Sequence, residues 1–243
     1  MTLVAVTICI NYSDYLECVV GNRVHFDRWV VVTVPLDRAT HELCAKYGIE
    51  CIDSALLQPD GKDFHAVDNK GPVLNEGIEH VMRDAQATDE IAGVDAQGSR
   101  LRQITNHESP ITPATWCVVL DADVLLPRYF GERVRAMPLE SGCLYAMGGR
   151  KVCETREQFE MLRSCEPWDR LVARNSQAIG YFNLFSLDAL PNRYPVRMGK
   201  EGSAHDDFLF TTSFLPSTRR VLPFTAIHLD LRAELGRAGD GEI

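Results

Sequence analysis

The chain has no CxxC pair, no leader-type N-terminus, no apolar run long enough to span a bilayer and no internal repeat. Each absence removes a class of protein. Eight cysteines are scattered singly through 243 residues, and without paired spacing they do not form a structural zinc motif. Cys9 in VTICI and Cys117 in WCVVL lie inside apolar runs, where a thiol acts as a small core residue. The N-terminus enters LVAVTICI with neither a basic stretch nor a small-residue cleavage site, so a reduced, cytoplasmic setting is expected. A spanning helix needs about 20 apolar residues, and none is present, so stable membrane insertion is not expected. Positive charge is also scarce. Lys and Arg total 25 against 34 Asp and Glu, a net charge of −9. That balance excludes a surface built throughout to grip nucleic acid, while leaving room for a local basic groove.

What is present reads as an α/β protein. Residues 3–10 and 28–34 are continuous β-branched apolar runs, the pattern of parallel strands buried on both faces. A helix over 15–20, capped by Ser13 or Asp14, follows the first. A helix over 37–47, ended by Gly48, follows the second, and 49–52 is a third short strand. Strand–helix alternation of this kind begins a doubly wound sheet. A polar loop over 58–72 precedes an amphipathic helix over 74–85, with Pro72 suited to its first turn. Residues 86–114 lack periodicity, as functional or disordered connections do. Further strands are expected at 116–120, 142–147, 180–186 and 221–228, with helices at 154–164 and 206–214. One domain over 1–243 accounts for this, with a change of texture near residue 130 dividing a first half from a second.

The chemistry concentrates where WCVVL ends in Asp121-Ala122-Asp123. Ligands of open α/β sheets bind beyond the carboxyl ends of the strands. Two carboxylates there repel unless a cation neutralises them, and a hard divalent ion such as Mn²⁺ or Mg²⁺ prefers oxygen ligands. Such an ion can bridge a diphosphate and stabilise charge on a departing nucleotide. The plainer alternative is a pair that caps the turn before Pro127. A second signal is NKGPVLNEG at 69–77, where Lys70 and a helix start could face phosphate, or where Gly71-Pro72 are turn chemistry alone. Trp168, behind Pro167, either stacks on a sugar face or anchors its loop. The basic stretches at 193–200 and 217–220 are solvated surface or the lining of a groove for a polyanion.

Taken in order, the opening strand with Asn11-Tyr12, NKGPVLNEG, VVLDAD, GYFNLF at 180–185, AHDDF at 204–208 and IHLD at 227–230 resemble the GT-A glycosyltransferases, especially family 2. The landmarks span nearly the whole chain. The resemblance implies a mixed, mainly parallel sheet flanked by helices, with residues 1–130 binding a nucleotide sugar and 131–243 the acceptor. It implies a metal-dependent hexosyl transfer, a UDP-sugar as leading donor, and a small phage-type enzyme among the options. Asp121 and Asp123 would hold the metal, with His228 as third ligand. Asn11, Tyr12, Asp53, Lys70, Ala122 and Asn75 would contact the donor. Gly180, Tyr181 and Trp168 would face the acceptor, a glycan or a hydroxymethylated DNA base. Asp206 or Asp207 would be the general base, implying inversion. The sequence departs from the family in lacking an acidic residue at Asn11-Tyr12, in TVPLD after the second strand, and in the length of 86–114.

Two other classes fit the same residues less well. A nucleotidyltransferase usually carries a Gly-rich basic loop after the first strand, and here that loop is Asn11-Tyr12-Ser13-Asp14. A non-catalytic nucleotide-sugar-binding protein has no need of both the carboxylate pair and a late acidic helix start.

Overall fold

The computed structural model describes residues 1–64, 66–92, 114–164, 181–189 and 209–230. Eight strands form one sheet in the order β3-β2-β1-β4-β7-β6-β8-β5. β1 (Thr2–Ile8), β2 (Arg28–Thr33), β3 (Glu50–Asp53) and β4 (Thr115–Leu120) pair in parallel, as their unbroken apolar runs predict. The direction then changes. β7 (Phe182–Ser186) is antiparallel to β4 and to β6 (Leu144–Cys153). β8 (Arg219–Leu229) runs parallel to β6, and the two-residue β5 (Val124–Leu125) closes that edge antiparallel to β8. The sheet is therefore mixed and mainly parallel, with helices flanking it, as the sequence suggested.

Helices pack on the sheet, and two apolar clusters fill the space around it. One cluster joins Leu3, Ala5, Trp29 and Val31 to α1 (Ser13–Val19), α2 (Arg38–Tyr47) and α4 (Phe130–Arg135). The other joins Val4, Val6, Val30 and Val32 to Val73, Leu74, Ile78 and Val81 of α3 (Ala66–Ala92). Adjacent strand residues divide between the two clusters because successive side chains point to opposite faces. α5 (Arg156–Ser164) follows β6 and contributes Phe159 to the first cluster.

Several local expectations hold and several need correction. Asp37 caps α2 by accepting from the Thr40 N–H, and Gly48 ends that helix in the left-handed conformation at φ 62. α1 is not capped by Ser13 or Asp14; Tyr12 occupies the cap position with no side-chain bond. α3 begins at Ala66, not at residue 74, so Pro72 is inside the helix rather than in its opening loop. Proline has no N–H to offer the carbonyl of residue 68, yet apolar packing of Val73, Leu74, Ile78 and Val81 sustains the helix. α3 also runs on to Ala92, into the stretch expected to be aperiodic. β6 and β8 are longer than expected, and β5 and α4 were not foreseen. Residues 209–213 are helical, within the span expected to be a helix.

Gly77 shows why α3 sits so close to the sheet. A Cβ there would lie 2.5 Å from Val6 Cγ1 and 2.9 Å from Val32 Cγ2. Only a residue without a side chain permits that approach.

Candidate active site

β4 delivers Asp121 to the carboxyl edge of the sheet, where the Asp121 N–H bonds the Tyr181 carbonyl at 3.1 Å. The chain turns through Ala122 and Asp123 and re-enters the sheet as β5, with Val124 opposite His228. The Leu229 N–H bonds the Asp123 carbonyl at 2.8 Å, fixing the turn against β8. This register puts His228 Nε2 3.2 Å from Asp123 Oδ2. Residues 105 apart in sequence are thus brought together by one two-residue strand. Ala122 is the small spacer between the carboxylates and packs against the core.

The two carboxylates have different partners. Asp121 Oδ1 lies 3.0 Å from Lys70 Nζ, whose side chain is 13% exposed. Lys70 reaches it from within α3, so the free helix-start N–H groups anticipated beside this lysine are not there. Asp123 pairs with His228. Burial lowers the imidazolium's pKa, but the hydrogen bond and charge of Asp123, helped by Asp121, outweigh it and hold His228 above its ordinary value. Asp123 Oδ1 and His228 Nδ1 are both buried with no hydrogen-bond partner among the described residues. A buried carboxylate oxygen without a donor is costly, and such an atom marks a place for an ion, water or ligand.

That orphaned oxygen is the test of fit for a divalent cation. Asp123 supplies a hard oxygen, suited to Mn²⁺ or Mg²⁺, and His228 a ring nitrogen, which Mn²⁺ accepts more readily than Mg²⁺. Among the described residues no three His, Cys, Asp or Glu side chains converge as a ready ligand set. Lys70 accounts for part of this, since it holds the Asp121 carboxylate.

The other predicted donor residues lie around the same edge. Asn11 follows β1 and is the non-glycine residue with positive φ among those described, at 57. Its N–H bonds Asp37 Oδ2 at 2.7 Å, and Thr33 Oγ1 bonds the same oxygen at 3.0 Å. Asp37 is therefore more than a helix cap, because it also holds the loop after β1 in its unusual conformation. Tyr12 is exposed and packs on Tyr15 with ring centroids 5.4 Å apart. Asp53 ends β3, half-exposed, 3.0 Å from His41 Nε2. Asn75 is buried in α3. Tyr181 is buried directly before β7, with its ring stacked on His228 at 6.4 Å. Burial pushes its hydroxyl pKa up to about 12, against a smaller lowering by Arg150. Gly180, Trp168, Asp206 and Asp207 lie outside the described residues.

Sequence reasoning missed two residues here. Asn22, fully buried, donates from Nδ2 to the Val124 carbonyl at 2.7 Å and accepts the Leu126 N–H on Oδ1 at 2.9 Å. It clamps β5 from both sides and so positions the turn bearing Asp123. Nothing in its neighbours Gly21 and Arg23 signals that role. Arg150 of β6 lies over the Tyr181 ring at 5.3 Å. The adjacent Arg150-Lys151 pair after two glycines was the available hint.

No protein-family model matches the chain, and no curated protein matches it either. Solved structures do. TarS of S. aureus, residues 1–349, superposes with a TM-score of 0.55 at 12% identity, covering 100% of this chain and 67% of that one. The chain spans 41% of a longer TarS structure, with a TM-score of 0.52. Glucosyl-3-phosphoglycerate synthase from Mycobacterium tuberculosis, solved with Mn²⁺, uridine diphosphate and glucosyl-3-phosphoglycerate, gives a TM-score of 0.51 at 14% identity. That match covers 97% of this chain and 75% of that one. The direction change after β4, the Asp-x-Asp turn beside it and these superpositions agree: the chain has the GT-A glycosyltransferase fold.

Proposed function

We propose that the chain is a metal-dependent glycosyltransferase that moves a sugar from a nucleoside-diphosphate sugar, a UDP-sugar first, to an acceptor hydroxyl with inversion. The observation that carries this reading is the turn at the carboxyl end of β4. There Asp123 is held opposite His228 with a buried carboxylate oxygen left over. The Mn²⁺ and uridine diphosphate bound by the mycobacterial synthase support the same reading. A divalent ion held by Asp123 and His228, when bound, would supply positive charge to the departing diphosphate.

The residues of the chain divide the remaining work. Asn11, Tyr12 and Asp53 sit at the ends of β1 and β3, on the nucleoside side. Lys70, now paired with Asp121, would turn to the diphosphate and free that carboxylate for the donor or the metal. Ala122 would keep the turn narrow enough for a sugar to lie against it, and Asn75, buried in α3, would contact the donor. Tyr181 walls the acceptor side, with Gly180 and Trp168 assigned there from the sequence. Asp206 or Asp207 would take the proton of the acceptor hydroxyl as its oxygen bonds the anomeric carbon and the bond to diphosphate breaks. The acceptor is a glycan or a hydroxymethylated DNA base. Residues 1–130 would bind the donor and 131–243 the acceptor.

The test is a thermal-shift panel of UDP-, GDP-, ADP-, CMP- and dTDP-sugars with Mn²⁺, with Mg²⁺ and with EDTA, repeated on Asp123→Ala. One nucleotide sugar should raise the melting temperature with metal, and lose that effect with EDTA and in the variant. No shift with any donor would overturn the reading, and a product of retained configuration by NMR would overturn the inversion.

A further inference from the structure

The pairing of β6 with β8 is irregular just before one exposed arginine. The register shifts between Met147 and Gly149. Gly148 lies at the shift, where a Cβ would run into the Leu222 carbonyl. Between the pairs Met147–Leu222 and Gly149–Thr225, β8 has one residue more than β6, so the bulge belongs to β8 and β6 passes beside it. Arg150 comes two positions later, opposite Ala226 and two residues short of the Val152–His228 pair.

Arg150 is exposed, and among the described residues no carboxylate pairs with it. Its guanidinium lies 5.3 Å over the Tyr181 ring, and that ring also stacks on His228. Contact with the ring restrains the side chain, while its exposure leaves it reachable from solvent. An arginine so placed is prepared to bind a carboxylate or phosphate with two parallel hydrogen bonds and loses little side-chain freedom in doing so. A second observation comes from Tyr181. The residue is 7% exposed, and its hydroxyl is buried with no hydrogen-bond partner among the described residues. A buried phenol without a partner has a donor to offer.

We infer that Arg150 and Tyr181 form an anion-binding acceptor subsite, so the sugar is transferred to a hydroxyl that neighbours a phosphate or carboxylate. This rests on the glycosyltransferase reading for its purpose, but not for its geometry. The site selects by charge: the guanidinium fork takes the anion, and the Tyr181 hydroxyl donates to the same group or to the ester oxygen beside it. Donor binding, as proposed above, uses Asn11, Tyr12, Asp53 and Lys70 and does not need Arg150.

The experiment measures binding of glycerol 3-phosphate, inorganic phosphate and neutral glycerol by titration calorimetry, with and without a saturating nucleoside diphosphate and Mn²⁺. It compares the wild type with Arg150→Gln, Arg150→Lys and Tyr181→Phe. Glycerol 3-phosphate should bind the wild type and glycerol should not. Arg150→Gln should weaken the phosphate ester at least tenfold, and Arg150→Lys and Tyr181→Phe a few-fold each. Nucleotide affinity should stay within twofold in every variant, with melting temperatures showing all of them folded. Equal binding of the ester by wild type and Arg150→Gln, or no binding to wild type, overturns the proposal. So does competition between the ester and the nucleoside diphosphate, which would place Arg150 in the donor site. Failure of the nucleotide to bind the wild type would instead sink the glycosyltransferase reading, while the Arg150 comparison would still stand.

Discussion

The two ends of the sheet are built on different terms. In β3-β2-β1-β4 every neighbour is parallel, and polar side chains within it are answered locally: Trp29 Nε1 donates to Thr7 Oγ1 at 2.9 Å. In β7-β6-β8-β5 parallel and antiparallel pairs are mixed, and buried polar atoms have no hydrogen-bond partner among the described residues: Asp123 Oδ1, Tyr181 Oη, Ser186 Oγ and His228 Nδ1. The first region satisfies its polar side chain from within, whereas the second keeps polar atoms that a bound group would satisfy under the proposed function. Unsatisfied polar atoms cost stability, so their clustering at one end separates scaffold from site. Damage to the seam or the parallel region should therefore read out as lost stability.

The largest effect is expected at the seam between the regions. Asn22→Ala leaves the Val124 carbonyl and the Leu126 N–H without partners inside the protein. Each orphan costs about 1–3 kcal/mol, so urea unfolding should show a loss of roughly 3–4 kcal/mol. A loss below about 1 kcal/mol would mean that β5 is not tied down by this side chain.

His25 comes next. Its ring is buried against Phe26 and Phe130, and burial, aided by the charge of Arg135, lowers its pKa from 6.5 to about 4. The folded state thus keeps the ring neutral, with Nδ1 3.4 Å from the Gly131 N–H. Above pH 6.5 both states are neutral and the residue has no pH effect. As pH falls from 6.5 toward 4 the unfolded chain takes up a proton that the folded chain refuses, so stability drops. The drop approaches 1.4 kcal/mol per pH unit, or roughly 2–3 kcal/mol by pH 4.5. Urea unfolding at pH 7 and pH 4.5 should show this drop in the wild type and not in His25→Gln. Equal slopes would remove His25 as the cause.

Smaller effects test the parallel region itself. Gly77→Ala forces a methyl against Val6 and Val32. Overpacking costs about 1–3 kcal/mol, offset by about 1 kcal/mol of helix propensity. A net loss of about 1 kcal/mol is expected by thermal unfolding, and a more stable variant would show that α3 can shift outward freely. Arg28→Ala removes the 2.7 Å ion pair with Glu50, where both side chains are about one-third exposed. That loss should stay below about 1 kcal/mol. A larger value would mean that His80, which also bonds Glu50, depends on the same network.

The legible parts of the sequence are those whose cause is local. Asp37 and Gly48 mark the ends of α2 through their own side-chain and backbone preferences, and WCVVL announces a strand because its neighbours bury both faces. Asp121 and Asp123 could be picked out because they follow such a strand directly. The parts that escaped depend on distant partners. β5 is two residues long and exists only because β8 lies beside it. Arg150 looks like any strand arginine until the pairing of β6 with β7 and β8 sets it over Tyr181. Pro72 suits a helix start equally well, and only the packing of α3 on β1 and β2 reveals that the helix began earlier. His228 was reached through resemblance, since nothing local distinguishes it from a core histidine.

α3 joins a core contact to a charge. Gly77 sets how near the helix lies to Val6 and Val32, and Lys70 stands seven residues away on the same helix, about two turns. The ammonium that meets Asp121 is therefore placed by the thickness of two valines rather than by its own flexible stem. The helix is a ruler between hydrocarbon and carboxylate. Volume changes at positions 6 or 32, far from any substrate, would move its zero mark.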